Sequence, residues 1–306
     1  MSEPRLVAKA DPVSSYYGRP ILKTPVWKQP DVPLYLYLGG VAGVSAVLAE
    51  GAAATGRPAL QRVSRVAAAG GATVGTVALV HDLGRPERFL NMLRVFKVTS
   101  PLSVGSWILA PFSGLAAGAL ASDLTGRLPR LGRLAGVGAG VLGPALATYT
   151  GALISNTAIP AWHEGYREMP FIFAGSASTA AAGLALIGAP TDQTGPARRL
   201  AVVGAGVEIV AAELLLRRLG VVGEPYRQGR PGAFMKSARN LTVAGVVAAV
   251  VGRRSRALSV VAGTMFQAAS VLTRFGIFQA GLASAEDPKY TVGPQRERMR
   301  DRTLVR

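Results

Sequence analysis

The chain has 306 residues, of which 49% are hydrophobic and only 17% are charged, and its mean hydropathy is +0.31. A soluble domain usually carries about 25% charged residues, so this composition favours a membrane protein. Cysteine is absent, which excludes a thiolate-held metal, an iron–sulfur cluster and covalently attached haem in this chain. The two histidines, His81 and His163, are too few to ligate a pair of haems. Redox chemistry would therefore need a diffusible organic carrier or a partner's cofactor.

Apolar residues occur in eight blocks of about twenty residues, the length that crosses the hydrocarbon core of a bilayer as an α-helix. The sequence therefore predicts an all-α, polytopic membrane protein with eight transmembrane helices in two four-helix bundles. The first bundle covers residues 33–165 and the second covers 166–281, between a basic arm at 1–32 and a basic tail at 282–306. The predicted spans are residues 33–54, 63–84, 101–121, 133–155, 169–189, 199–216, 233–252 and 257–281.

The N-terminal arm is polar, basic and rich in proline, and it lacks the apolar core of a cleavable signal peptide. Its aromatic residues Tyr16, Tyr17 and Trp27 favour an extended segment that docks on another surface. A disordered tail explains the same composition equally well.

Glycines four residues apart occur in three spans, a spacing that lets two helices approach closely within a bilayer. Gly204 and Gly206 resemble the start of a dinucleotide-binding fingerprint, but the third glycine and the preceding strand of that fingerprint are missing. We therefore interpret that pair as part of a span. Close helix contacts are expected at Gly39 and Gly43, Gly71 and Gly75, and Gly136 and Gly140.

The 34 lysines and arginines outnumber the 17 acidic residues, so the net charge is +17. With eight spans, the segments on the side of the termini contain 23 of these basic residues and the opposite segments contain 11. Cytoplasmic loops are usually the more basic, which predicts cytoplasmic termini in a bacterial plasma membrane. A basic face that holds a partner subunit is an alternative explanation. Because the charge lies in loops between apolar spans, it does not indicate nucleic-acid binding.

Polar and aromatic residues of the first four spans concentrate at the ends that lie on the side of the termini. Residues 79–88, Leu-Val-His-Asp-Leu-Gly-Arg-Pro-Glu-Arg, place an imidazole, a carboxylate and a guanidinium where the second span leaves the membrane. Ionisable groups at this boundary are costly unless they are paired or used. Antiparallel crossing brings the starts of spans one and three to the ends of spans two and four. The candidate binding residues at this face are Asp31, Tyr35, His81, Arg85, Trp107, Tyr149 and Asn156.

Two interpretations of this cluster are open: an interfacial aromatic belt with structural hydrogen bonds, or a pocket for an amphipathic headgroup. A quinone suits such a pocket, since its carbonyls accept hydrogen bonds, its ring packs on aromatic side chains and its tail is apolar. His81, Asp82 and Tyr35 are the candidate catalytic residues, because a quinol releases two protons when it is oxidised. We expect Tyr35, His81, Asp82, Tyr149 and Asn156 to converge around one cavity.

Four segments of the first half resemble the NrfD/PsrC family, the membrane subunits of polysulfide-reductase-type and related molybdopterin oxidoreductases. The resemblance covers roughly residues 25–165. The segments are Gly40-Val-Ala-Gly43, Asp82-Leu-Gly-Arg-Pro-Glu-Arg88, Pro101-Leu-Ser-Val-Gly-Ser-Trp107, and Tyr149-Thr-Gly-Ala-Leu-Ile-Ser155 with Pro160 and Trp162.

This resemblance implies an eight-helix subunit that binds menaquinone or ubiquinone in its first bundle. An iron–sulfur electron-transfer subunit would dock over the site and exchange electrons with a catalytic subunit of the molybdopterin type. The resemblance also implies that Tyr149 contacts the quinone, whereas Tyr35 stands where the polysulfide-reductase pattern has a histidine. The basic loop 85–97 and the N-terminal arm are the surfaces predicted to contact the iron–sulfur partner.

Two carboxylates fall within predicted spans: Glu50 in the first, and Glu208 near the middle of the sixth. Such groups either form proton paths or pair with arginines such as Arg239 and Arg274, and pairing is the more common arrangement. The alternative functions are a transporter and a passive membrane scaffold. A transporter would need polar, broken helices at mid-membrane, and a scaffold would work without a quinone.

Overall fold

The computed structural model describes residues 21–23 and 25–304, among which there is no strand. In a bilayer an α-helix satisfies its own backbone N–H and C=O groups, which explains why the apolar blocks fold as helices. A 3₁₀ helix covers Gly220–Tyr226. The α-helices are α1 (Asp31–Ala54), α2 (Pro58–Leu83), α3 (Pro86–Met92), α4 (Pro101–Thr125), α5 (Pro129–Ser155), α6 (Pro160–His163), α7 (Met169–Gly188), α8 (Gly195–Arg218), α9 (Gly229–Val251), α10 (Arg256–Glu286) and α11 (Lys289–Leu304).

Seven of the described helices are long and apolar enough to cross a membrane, and each coincides with a predicted span. The sixth predicted span corresponds to α8, whose 24 residues include six charged side chains. Although α8 packs along α7, its composition sets it apart from the other seven. The all-α, multi-pass membrane fold is thus confirmed, whereas the count of eight spans stays a prediction.

Prolines and glycines mark the ends of the helices in the first half. Helices α2, α4 and α5 each begin with a proline, at a position where the missing N–H would have no partner within the helix anyway. Gly84 follows α2 and Gly126 follows α4 with φ values of 70° and 66°, in the left-handed region that glycine adopts readily. Gly84 thus ends α2 at the face of the termini, and Gly126 ends α4 at the opposite face.

Helix α1 packs mainly against the long helices α2, α5, α7 and α10. Its backbone approaches α5 most closely at Gly43 and Gly143, where a Cβ on either residue would overlap the other residue's carbonyl group. Gly71 of α2 likewise adjoins the backbone of α1, whereas Gly39 has open space around it. Close contact through small residues is therefore confirmed at Gly43 and Gly71. The residue boundaries of the two predicted bundles stay a prediction.

Arg65 of α2 joins three helices at the face opposite the termini. Its guanidinium lies 2.9 Å from Glu50 Oε1 of α1 and 2.6 Å from Asp123 Oδ1 of α4. The expectation that Glu50 pairs with Arg239 or Arg274 is wrong, because the antiparallel α1–α2 hairpin brings Arg65 to the same depth as Glu50. The interaction ties together the opposite-face ends of α1, α2 and α4.

Arg274 of α10 is fully buried within the helix bundle, not in the basic tail. Its guanidinium donates to the carbonyl of Phe173 at 3.0 Å and to that of Leu36 at 3.5 Å, and it lies 4.1 Å from the centre of the Phe173 ring. Glu208 accepts a hydrogen bond from Thr273 at 2.8 Å and forms no salt bridge within the described part of the chain, so the expected direct ion pair with Arg239 or Arg274 is wrong. Arg274 is nevertheless close enough to interact with Glu208 electrostatically. Because Arg274 lies inside the bundle, the number of basic residues on the side of the termini is 22, not the 23 counted from the sequence.

Replacing Arg65 with glutamine should lower the unfolding temperature, because Glu50 and Asp123 would lose the cation that they share. Their side chains remain 19% and 24% exposed, so we expect a loss of about 3 kcal/mol, the low end for breaking a buried ion pair. Thermal unfolding in detergent measures the effect, with Arg62→Gln, an exposed arginine of the same helix, as the control. Neutralising Glu50 and Asp123 as well should restore part of the stability. No recovery would contradict the electrostatic explanation.

Candidate functional site

A cavity of about 350 Å³ lies at the membrane face where the chain begins. It is enclosed by the starts of α1 and α4 and the ends of α2 and α5, the four helix ends that antiparallel crossing predicts to meet. Leu79, Leu102 and Leu153 supply apolar walls. Its polar lining includes Tyr35, Asp82, Thr99, Ser100, Asn156 and Thr157.

Two tyrosines contribute phenol hydroxyls to this region. Tyr35 lies one turn into α1, is 7% exposed and is in electrostatic contact with both Tyr149 and Asp82. The ring of Tyr149 packs against Gly105 of α4, where any Cβ would overlap it. Neither hydroxyl forms a hydrogen bond with a described residue. The Tyr35 hydroxyl therefore remains free to donate to a molecule in the cavity. Tyr149 is not among the residues that line the cavity, so the expected convergence is not borne out for Tyr149.

Asp82 supplies the carboxylate of the cavity wall. Its Oδ1 accepts a hydrogen bond from the backbone N–H of Lys28 at 3.0 Å, and its Oδ2 has no hydrogen-bond partner in the described part of the chain. This contact brings the end of the N-terminal arm to the last turn of α2. The carboxylate is thus held in place while one oxygen stays available.

The end of the N-terminal arm also closes one side of the cavity. Trp27 lines it and stacks on Trp162 of α6, with 5.4 Å between the ring centroids. Trp162 in turn packs against Phe278 of α10 at 5.5 Å. Docking of the arm is therefore confirmed at Trp27, and the docking surface is the chain itself. The other two arm aromatics, Tyr16 and Tyr17, lie outside the described residues.

His81 does not line the cavity. Its Nδ1 lies 2.7 Å from Asp31 Oδ2, and its side chain is 73% exposed. Neighbouring residues of an α-helix point about 100° apart, so His81 faces outward where Asp82 faces inward. The expected convergence is therefore wrong for His81, and the structure pairs it with Asp31.

The remaining predicted residues divide between the wall of the cavity and the surface. Asn156 directly follows α5 and lines the cavity. Trp107 is 42% exposed and packs edge-on against Phe96, with 5.7 Å between the rings. Arg85 is exposed and precedes α3. Trp107 and Arg85 therefore do not belong to the cavity lining.

Sequence reasoning missed part of the cavity wall, including Trp27, Thr99 and Ser100. Ser100 caps α4 by accepting from the N–H of Ser103, and the Ser-Pro pair at the start of that helix was a usable signal. No comparable signal marks Trp27, because its position depends on stacking with α6. The described residues contain no cluster of three His, Asp or Glu side chains that could hold a metal ion.

Replacing Gly105 with alanine should displace the Tyr149 ring and lower stability by about 1–3 kcal/mol, the usual cost of overpacking. Gly114→Ala is the matched control in the same helix, since a Cβ there meets no atom within 4 Å. Thermal unfolding of the two variants in detergent separates the effect of overlap from that of helix propensity. Equal unfolding temperatures would contradict the close contact of Gly105 with Tyr149.

Comparison with known proteins identifies the family of the chain. The family described as polysulphide reductase, NrfD matches residues 22–221, from just before α1 to the 3₁₀ helix. No curated protein matches the chain. The matched part contains all four helix ends of the cavity and amounts to 200 of the 306 residues. This protein therefore belongs to the NrfD (polysulphide reductase) family.

Proposed function

We propose that this protein is the quinone-reactive membrane subunit of a multi-subunit oxidoreductase. Proteins of the NrfD family are associated with quinone interaction, and they typically partner with iron–sulfur and molybdopterin subunits. The observation that carries the proposal is the cavity at one membrane face, which combines apolar walls with the Tyr35 hydroxyl and the Asp82 carboxylate. Tyr149 lies near Tyr35, behind this wall.

The cavity suits a quinone headgroup in size and in chemistry. Its 350 Å³ lies within the range of small-molecule sites, roughly 300–1,000 Å³. The Tyr35 hydroxyl would donate a hydrogen bond to one carbonyl of menaquinone or ubiquinone, and the Asn156 amide to the other. Leucine side chains would pack on the ring and on the first part of its tail. The bound quinone would supply the two-electron chemistry that no side chain of this protein provides.

Asp82 is the proposed proton acceptor, because it is the carboxylate of the cavity wall. Lys28 holds its Oδ1, which leaves Oδ2 to take a proton from the cavity. The pair formed by His81 and Asp31 lies at the same end of the bundle and is exposed on the histidine side. We assign this pair to the exchange of the proton with water, since the exposed imidazole contacts both solvent and the Asp31 carboxylate.

The basic membrane face is the proposed docking surface for the iron–sulfur subunit, which would lead to a catalytic subunit of the molybdopterin type. The segment between α2 and α4 contains Arg88, Arg94 and Lys97. The last residues of this segment line the cavity. A partner bound there would bring its clusters close to the quinone. The same charge asymmetry supports cytoplasmic termini in a bacterial plasma membrane.

A transporter is the weaker alternative. Transporter sites are commonly built from discontinuous helices near the middle of the membrane. Each of the seven candidate spans is a continuous helix. A passive scaffold, for its part, would not require unpaired tyrosine hydroxyls beside a cavity.

Replacing Asp82 with asparagine should lower quinone-coupled turnover by about 100-fold, because a general base would be lost. The rate of electron transfer from the catalytic subunit to a soluble artificial acceptor should stay unchanged. Glu87→Gln, an exposed carboxylate at the same face, is the matched control. His81→Ala should slow turnover less, since its ring faces away from the cavity. Full quinone activity of Asp82→Asn, normalised to intact complex, would overturn the assignment.

Removing residues 1–20 should weaken association with the iron–sulfur subunit, because this segment contains three basic side chains and both outer tyrosines of the arm. The deletion stops at residue 20 so that Trp27 and Lys28 keep their contacts with Trp162 and Asp82. Co-purification of the partner from solubilised membranes measures the effect. A variant with Arg253 and Arg254 changed to glutamine, at the opposite face, should retain the partner. Unchanged co-purification after the deletion would contradict a docking role of the arm.

A further inference from the structure

A second cavity, of about 250 Å³, lies in the other half of the protein between α8, α9 and α10. Its wall is mainly apolar and includes Ile172, Ile209, Leu216 and Met235. Helix α8 packs chiefly on α7 and α9 chiefly on α10, so α8 and α9 have little contact with each other. The cavity therefore lies at a gap between these two helices, both of which have exposed apolar side chains.

Two buried polar atoms of this wall have no hydrogen-bond partner within the described structure, Glu208 Oε2 and Thr242 Oγ1. Glu208 is 6% exposed and Thr242 is 1% exposed. The other oxygen of Glu208 already accepts a hydrogen bond from Thr273. Because unsatisfied buried polar atoms are costly, this wall is suited to a ligand that both donates and accepts hydrogen bonds.

Two cations of α9, Lys236 and Arg239, line the same cavity and form no hydrogen bond or ion pair with a described residue. They lie about 10 and 15 Å along α9 from its start, at 1.5 Å per residue. Glu208 precedes the end of α8 by about 15 Å on the same scale. The cations and the carboxylate are therefore available at a similar depth below the basic face.

We infer that this cavity binds the headgroup of a quinone or quinol, as a second site in addition to the one beside Tyr35. One ring oxygen would accept hydrogen bonds from Arg239 and Thr242, a hydroxyl at the opposite edge would donate to Glu208 Oε2, and the tail would leave between α8 and α9. An anionic phosphate group would engage the cations but has no donor for Glu208 Oε2. The ligand class rests on the proposed function, whereas the site shares no residue with the first cavity.

Photolabelling with a quinone analogue that carries a photoreactive group on its tail tests this inference. The label is applied to membranes that contain the assembled complex, and the labelled residues are mapped by mass spectrometry. We expect labels in residues 79–83 or 153–157 of the first cavity and in residues 208–216 or 235–242 of the second. Arg239→Gln and Thr242→Val should each lower labelling of the second cavity about tenfold and leave the first unchanged. Val243→Ala, at a neighbouring exposed residue of α9, should change neither.

The two cavities give separate outcomes. Labelling of the first cavity alone would overturn the second site and leave the proposed function standing. Labelling of the second cavity alone would support this inference and overturn the assignment of the first. If excess anionic phospholipid, but not unlabelled quinone, removes the label from the second cavity, the ligand class is wrong.

Discussion

The close approach of α1 and α5 at Gly43 and Gly143 is the contact on which the rest of the first half depends. Helices in lipid gain little from apolar burial against each other, so small residues that permit tight packing decide which faces meet. Each of these glycines lies about three turns from the end of its helix at the terminal face. With their backbones joined there, Tyr35 near the start of α1 and Asn156 just after α5 meet at one cavity.

Polar side chains inside the protein differ in the partners that they contact. Arg65 contacts two carboxylates, and its role is to hold three helices together. Arg274 is bonded to two backbone carbonyls and stacked on Phe173, so it joins α10 to α1 and α7. The hydroxyls of Tyr35 and Tyr149 have no such partners among the described residues. Because the membrane makes an unused polar group costly, Tyr35, which lines the cavity, is the better candidate for a ligand contact.

The end of the N-terminal arm is part of the proposed site. Trp27 closes the cavity by stacking on Trp162, and the neighbouring Lys28 holds Asp82 through its backbone N–H. A partner that moved the arm would therefore act directly on the proposed proton acceptor. This arrangement would couple the proposed docking surface directly to the cavity.

The sequence by itself determined the membrane class, the positions of the long helices and the face that holds the candidate site. Blocks of about twenty apolar residues can bury their backbone in lipid only as helices, and alternate crossing then sends the ends of α2 and α5 to the same side. The tertiary structure decided which side chains of those ends face the cavity. His81 and Asp82 are adjacent in sequence and point in different directions around α2, whose rotation is set by packing against α1 at contacts such as Gly71 with Leu38 and Ala42. It also decided that Glu50 pairs with Arg65, since only the packed helices determine which charges share a depth and a face.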